Sequence, residues 1–175
     1  TNPVTATFVG TDSSEVSLTF GTAFGNGVNQ QLVVSSVEDR SGNAMNADTR
    51  QFFYGVPDSV VVGDVYINEF MPDPNPVVAL PDAEFVEIYN VSNKLLHTTG
   101  WSFEDASSSV TLPGTFLQPN EIVILCERAD SADFAAFGRV LAVSSLPAIN
   151  NTGDYLGLSD SAGNVLDEVQ YASSF

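Results

Sequence analysis

Apolar and polar residues alternate along most of this chain with a period of two. Successive side chains of a β-strand point to opposite faces, so the pattern makes strands with one buried and one wet face and leaves little room for helices. Thr5-Ala6-Thr7-Phe8-Val9, residues 15–20, residues 31–37 and Gln51-Phe52-Phe53-Tyr54 read as such strands. Gly10-Thr11-Asp12-Ser13-Ser14, Gly25-Asn26-Gly27 and Asp39-Arg40-Ser41-Gly42-Asn43 are the turns between them. Past Gly55-Val56-Pro57-Asp58 a valine-rich connector leads to Gly63, where a domain boundary is expected. A second strand series follows over residues 65–70, 84–90, 100–104, 110–112, 121–126, 139–143, 155–159 and 165–171. Many short strands between turns predict an all-β fold, a β-sandwich or a partly closed barrel. One helix is expected over residues 132–137, with Asp130 or Ser131 as N-cap and Gly138 as the glycine that ends it. Asp-x-x-Gly-Asn occurs at residues 39–43 and 160–164. In both, the aspartate starts a turn and the glycine takes a positive φ, which is hairpin chemistry.

Composition narrows the function. Five Lys and Arg against 22 Asp and Glu give a net charge of −17, which disfavours nucleic acid and anionic membrane surfaces, since both are bound by cationic side chains. Twelve Phe, five Tyr and one Trp are ample core material, so the charge does not signal disorder. Apolar runs such as Ile122-Val123-Ile124-Leu125-Cys126 are far too short to span a bilayer as a helix. The single cysteine excludes an intrachain disulfide, and Cys126 reads as a small buried hydrophobe. His97, the single histidine, removes most Ser-His and multi-His constellations and is expected at an exposed strand edge. A start at Thr1 without a signal-like segment reads as an excerpt of a longer protein, and the acidic surface fits an extracellular one.

Carboxylates are densest from Asp64 to Glu87, where Glu69, Asp73, Asp82 and Glu84 also fall. Alternation puts Glu69 in phase with Val65 and Ile67, and Glu84 in phase with Val86 and Ile88. A charge in phase with core aliphatics must sit at a strand end, accept hydrogen bonds or bind a cation. One reading has Glu69 capping backbone amides while the others are solvated. The sharper reading has Asp73, Asp82, Glu84 or Glu87 coordinating Ca²⁺ with carbonyls of the 72–81 loop. No other cofactor is implied. A glycosidase's acid and base could also come from paired carboxylates, but in so acidic a chain pairs arise by chance. Gly25-x-Gly27 lacks the third glycine and the βαβ context of a dinucleotide site. Trp101 is expected to anchor a sandwich core. The alternative makes it a stacking platform for sugar, with Tyr66, Tyr89 or Tyr155 alongside.

From Asp64 onward the landmarks resemble the lamin tail domain. They are Ile67-Asn68-Glu69, Glu84-Phe85-Val86-Glu87-Ile88-Tyr89-Asn90, Gly100-Trp101-Ser102-Phe103-Glu104-Asp105, residues 112–119, residues 151–158 and residues 163–171, in the family's order. Asn68, Glu69, Asn90, Gly100 and Trp101 are the motif positions, and Met71-Pro72-Asp73-Pro74 looks like the bacterial branch. Residues 1–57 resemble the second half of a bacterial Ig-like domain of the surface-layer type, through residues 32–37, the 39–43 loop and Phe52-Phe53. The resemblance thus implies an immunoglobulin-like β-sandwich over residues 64–175, a linker over 58–63, and a partial second Ig-like unit over 1–57. A half-sandwich leaves edges unpaired, so that unit is expected to dock on the second domain or on a neighbouring copy. The resemblance further implies a non-catalytic spacer, adhesion or anchoring module of a bacterial protein that is secreted or at the cell surface. Its partners would be other domains of the same protein, or an envelope protein or polysaccharide. Neither nucleic-acid binding nor membrane insertion is expected. A carbohydrate-binding module, which would expose aromatics, is the rival reading.

Overall fold

The computed structural model describes residues 2–11, 15–39 and 41–172. The expected turn residues 12–14 and Arg40 of the 39–43 loop lie outside them. The chain divides into two compact units, Thr1–Val56 and Pro57–Phe175.

The first unit holds two antiparallel hairpins. Strand β1 (Thr5–Val9) pairs with β2 (Glu15–Thr19), setting Phe8 opposite Val16 and Ala6 opposite Leu18 on one apolar face. Strand β3 (Val28–Val34) pairs with β4 (Asp48–Tyr54). Strand β3 begins three residues before the expected 31–37 strand. Gly27, at φ 73°, donates its amide to the Tyr54 carbonyl and so starts the ladder there. Ser36, at φ 59°, ends the regular pairing early. The ring of Phe24 packs against Phe20, Phe52 and Tyr54, with centroids 5.0, 5.4 and 5.6 Å away. None of the described residues of this unit is buried.

The second unit carries β5 (Val65–Met71), β6 (Phe85–Asn90), β7 (Leu96–His97), β8 (Ser102–Glu104), β9 (Ser109–Thr111), β10 (Phe116–Leu117), β11 (Ile122–Glu127), β12 (Arg139–Val143), β13 (Gly153–Ser159) and β14 (Val165–Ala172). Two four-stranded sheets form, in the orders β12-β11-β6-β5 and β14-β13-β8-β9, and β7 pairs with β10. Alternation decides what lies between the sheets. Val65, Ile67, Val86, Ile88, Val123, Leu125, Leu141 and Val143 come from the first, and Phe103, Leu156, Leu158 and Leu166 from the second. Trp101 and Leu112 join the same core from the connecting segments, and Leu117 joins it from β10. Each such side chain contributes on the order of 1.5–3 kcal/mol by leaving water. This is an immunoglobulin-like β-sandwich. Between the sheets the backbone amide of Ile67, on edge strand β5, donates to the Asp167 carboxylate of β14 at 2.7 Å, closing one side.

Three details depart from the sequence reading. Strands β11 and β12 run parallel, so the chain must cross over between them. The crossover carries α1 (Ser131–Phe134), a single turn rather than a helix over 132–137. Asp130 precedes it without a side-chain cap bond, Ser131 donates instead to the Arg128 carbonyl, and Gly138 does not take a positive φ. What holds the turn is Phe134, buried on the outer face of the first sheet against Phe85, Ile124 and Cys126. Second, the register of β5 on β6 passes from Ile67 opposite Ile88 to Glu69 opposite Glu87. Asn68 is thus a β-bulge, and one extra residue flips the phase of all that follow. Glu69 turns outward, out of phase with Val65 and Ile67, and Phe70 turns in to meet the ring of Tyr171 at 4.8 Å. Third, residues 58–63, expected as a linker, are fastened down. Asp58 exchanges hydrogen bonds with Leu95, and Val60 packs on the core.

Candidate functional site

The four candidate calcium ligands do not converge. The Asp73 carboxylate accepts the Asn75 amide within its own loop. Glu87, on the outer face of β6, accepts a 2.8 Å bond from the Asn68 side chain. Only Asp82 and Glu84 share a recess, of about 320 Å³, and its other acidic residues are Glu127 and Asp130. Among the described residues no three carboxylate, imidazole or thiol groups are arranged to hold a metal ion. Physically, the phase of β6 sends Glu84 and Glu87 to opposite faces of one sheet, and Asp73 sits in the loop beyond β5.

The recess has its own electrostatics. Glu84 just precedes β6 and Glu127 ends β11, and these strands are antiparallel, with Phe85 opposite Cys126. The two carboxylates therefore lie side by side at the sheet's end. Each holds the chain after β12: Glu84 accepts the Ile149 amide at 3.2 Å and Glu127 the Leu146 amide at 3.3 Å. Burial raises the pKa of Glu84, the charge of Glu127 adds to the rise, and the Ile149 amide opposes it. Tyr171, near both Glu84 and Asp154, is pushed up to about 12 by burial and by those two charges. Glu127 was absent from the sequence-derived set because its alignment with Glu84 depends on strand pairing.

Trp101 is 2% exposed and belongs to the core, so it offers no face for stacking. Gly100 before it takes φ 76°, and a Cβ there would lie 2.9 Å from the Cβ of Ser161. Glycine is therefore required at the entry to that strand. No tyrosine is buried: Tyr66 is 44% exposed, and Tyr54, Tyr89, Tyr155 and Tyr171 are half-buried. Tyr66 and Tyr89 face each other across β5 and β6 on the outer side of the sheet. Tyr155 lies apart from them, on β13, with its hydroxyl donating to Glu168 at 3.1 Å. His97 is half-buried rather than exposed. Its ring lies edge-on to Phe116 and its Nδ1 meets the Thr99 hydroxyl at 2.8 Å.

Several other polar residues of the unit hold the backbone. Asn90 is fully buried. Its Nδ2 donates to the carbonyls of Lys94 and Gln118 at 2.9 Å, and its Oδ1 accepts the Ser92 amide at 3.1 Å and hydroxyl at 2.6 Å. Asp64 accepts the Val61 amide and pairs with Lys94, the chain's one lysine, at 2.6 Å. Asp105 accepts amides of Ser107 and Ser108. Burial opposes its charge, but those bonds outweigh it and lower its pKa. Asp154 accepts from Asn150 and Tyr155. Among the described residues no buried side-chain nitrogen or oxygen lacks a partner. Cys126 is fully buried, its thiol pushed up to about 11 by burial and by Asp130. The sequence model of the lamin tail domain matches residues 59–173. No curated protein matches the chain.

Proposed function

The chain belongs to the lamin tail domain family, and from that premise we propose that it serves as a spacer, adhesion or anchoring domain of a bacterial exported or cell-surface protein. The family is a non-catalytic module type. One observation carries the reading: the buried and half-buried polar side chains of the second unit named next are engaged with its own backbone. Asn90, Asp64, Asp105, Asp154 and Asp167 each bind main-chain groups of that unit. Such residues fix a rigid body that can connect and present other domains. The net charge of −17 suits a body that stays soluble among acidic surfaces and binds no phosphate backbone. The partners would be other domains of the same protein, or an envelope protein or polysaccharide.

Deleting residues 57–175 from the parent protein tests this. The expected result is release of the parent from the cell envelope, or loss of its spacing, with turnover per molecule by any catalytic neighbour unchanged. Loss of turnover with localisation intact would contradict it.

The Tyr66–Tyr89 pair favours a second reading, a carbohydrate contact. The two residues are cross-strand partners on the outer sheet face, the face on which the Asn68 side chain donates to the Glu87 carboxylate, and aromatics beside planar polar groups suit sugar rings. Retardation of the chain in polysaccharide-containing native gels, abolished in Tyr66→Ala, would support it. Equal mobility with and without polysaccharide would remove it.

A further inference from the structure

One step along the chain is chemically unlike the rest. Asn26-Gly27 is its single Asn-Gly pair, and every other asparagine is followed by a residue that carries a side chain. The amide carbon of an asparagine side chain lies within reach of the backbone nitrogen of the next residue, and attack closes a five-membered ring. A side chain on that next residue hinders the approach, and glycine has none. Asn43 and Asn164, held by the aspartates of their loops, precede Ala44 and Val165 and are hindered in this way.

The fold engages both reacting groups of the Asn26-Gly27 step. The Asn26 Oδ1 accepts the Val56 amide at 2.6 Å, and its Nδ2 donates to the Val56 carbonyl at 3.0 Å. The Gly27 amide, whose nitrogen is the nucleophile, donates to the Tyr54 carbonyl at 2.9 Å. That nitrogen attacks only after losing its proton, and the Tyr54 carbonyl holds the proton in place. The three bonds fix the electrophile and mask the nucleophile together. Asn26 and Val56 are both exposed, so the turn can open locally while the rest of its unit stays paired.

We propose that Asn26 is a modification site gated by this clamp. When the turn opens, the Gly27 nitrogen bonds to Cγ of Asn26, the Cγ–Nδ2 bond breaks, and ammonia leaves with the Gly27 proton. Water then opens the cyclic imide, at the side-chain carbonyl to give aspartate or at the main-chain carbonyl to give isoaspartate. Neither product closes the clamp again. The new carboxylate has no hydrogen to give the Val56 carbonyl, and isoaspartate lengthens the backbone by one atom just before β3, where Val28 faces Tyr54. One opening that proceeds to reaction thus releases Val56, the last residue of the first unit, irreversibly. The proposal is independent of the anchoring role assigned to the second unit.

Incubation in mildly alkaline buffer followed by peptide mapping with mass spectrometry is the test. Asn26 in the native 175-residue chain should react at least about tenfold more slowly than in a capped peptide of residues 23–30, because three hydrogen bonds must open first. Urea should bring the chain to the peptide's rate. Val56→Pro, which removes one donor to Asn26 at an exposed position, should speed the native reaction. In Asn26→Asp, which presets one product, hydrogen exchange of the Gly27 and Val56 amides should quicken. A native rate equal to the peptide's, or no reaction at Asn26 in urea, overturns the proposal. So does a Val56→Pro chain that reacts no faster than the parent sequence, or unchanged amide exchange in Asn26→Asp.

Discussion

Asn90 shows how much one side chain carries in this fold. It lies fully buried where β6 ends, donates to carbonyls of two separate segments and accepts from Ser92. A buried carbonyl that loses its donor costs about 1–3 kcal/mol, so Asn90→Ala should destabilise the second unit by about 2–4 kcal/mol. Asn90→Asp should cost more, because a carboxylate cannot donate to those carbonyls and would be a buried charge. Urea denaturation followed by near-ultraviolet circular dichroism measures both, and a change under 1 kcal/mol would show that the hub is dispensable. The resemblance marked Asn90 as a motif position without giving its role, since its carbonyl partners at Lys94 and Gln118 meet it only in the fold. Cys126 is legible from the aliphatic run it ends, and Trp101 from the tendency of a lone tryptophan to anchor a sandwich core. Glu69 is not, because one inserted residue at Asn68 reverses the phase from which its direction was read.

Elements follow from period and turn chemistry wherever strands are long and regular. Strands β1 and β12 occupy the expected residues, while β7 and β10, two residues each, are too short for any periodicity to mark. Which strand ends meet is a matter of pairing, and that is where the candidate site went astray. Pairing of β6 with β11 brings Glu84 beside Glu127, while alternation along β6 turns Glu87 to the other face. The consequence is a pH dependence of definite sign. A carboxyl whose pKa rises on folding binds its proton more tightly in the native state, so its ionised form costs stability and the cost fades as pH drops through the folded pKa. Glu84 is such a group. Glu84→Gln should therefore melt higher than the parent sequence at pH 7, with the gap closing as pH falls into the ordinary carboxylate range. Asp105 has the opposite sign: its lowered pKa gives stability that is present at neutral pH and lost only on stronger acidification. Calorimetric melting of the Glu84→Gln variant and the parent sequence at pH 7, 5.5 and 4 measures the gap. A gap that stays constant would rule out the assigned electrostatics.

At the scale of the whole molecule, the two units differ in kind. The second buries a continuous core from Val65 to Leu166, and the first buries none of its described residues. Alternation and turn spacing made the all-β class readable, and six ordered motifs made the second unit's fold readable. What sequence could not show is which acidic and aromatic side chains face one another, because facing is set by register and by the bulge at Asn68. The central claim is that the second unit is a closed structural body whose buried polar residues serve its own backbone and whose Trp101 serves its core. Trp101 tests it directly, as the chain's one tryptophan. Its fluorescence should be blue-shifted in the native protein, resist quenching by iodide, and stay unchanged when polysaccharide or small sugars are added. Emission like that of free tryptophan, ready quenching, or a shift on adding sugar would place the ring at a surface and contradict the account.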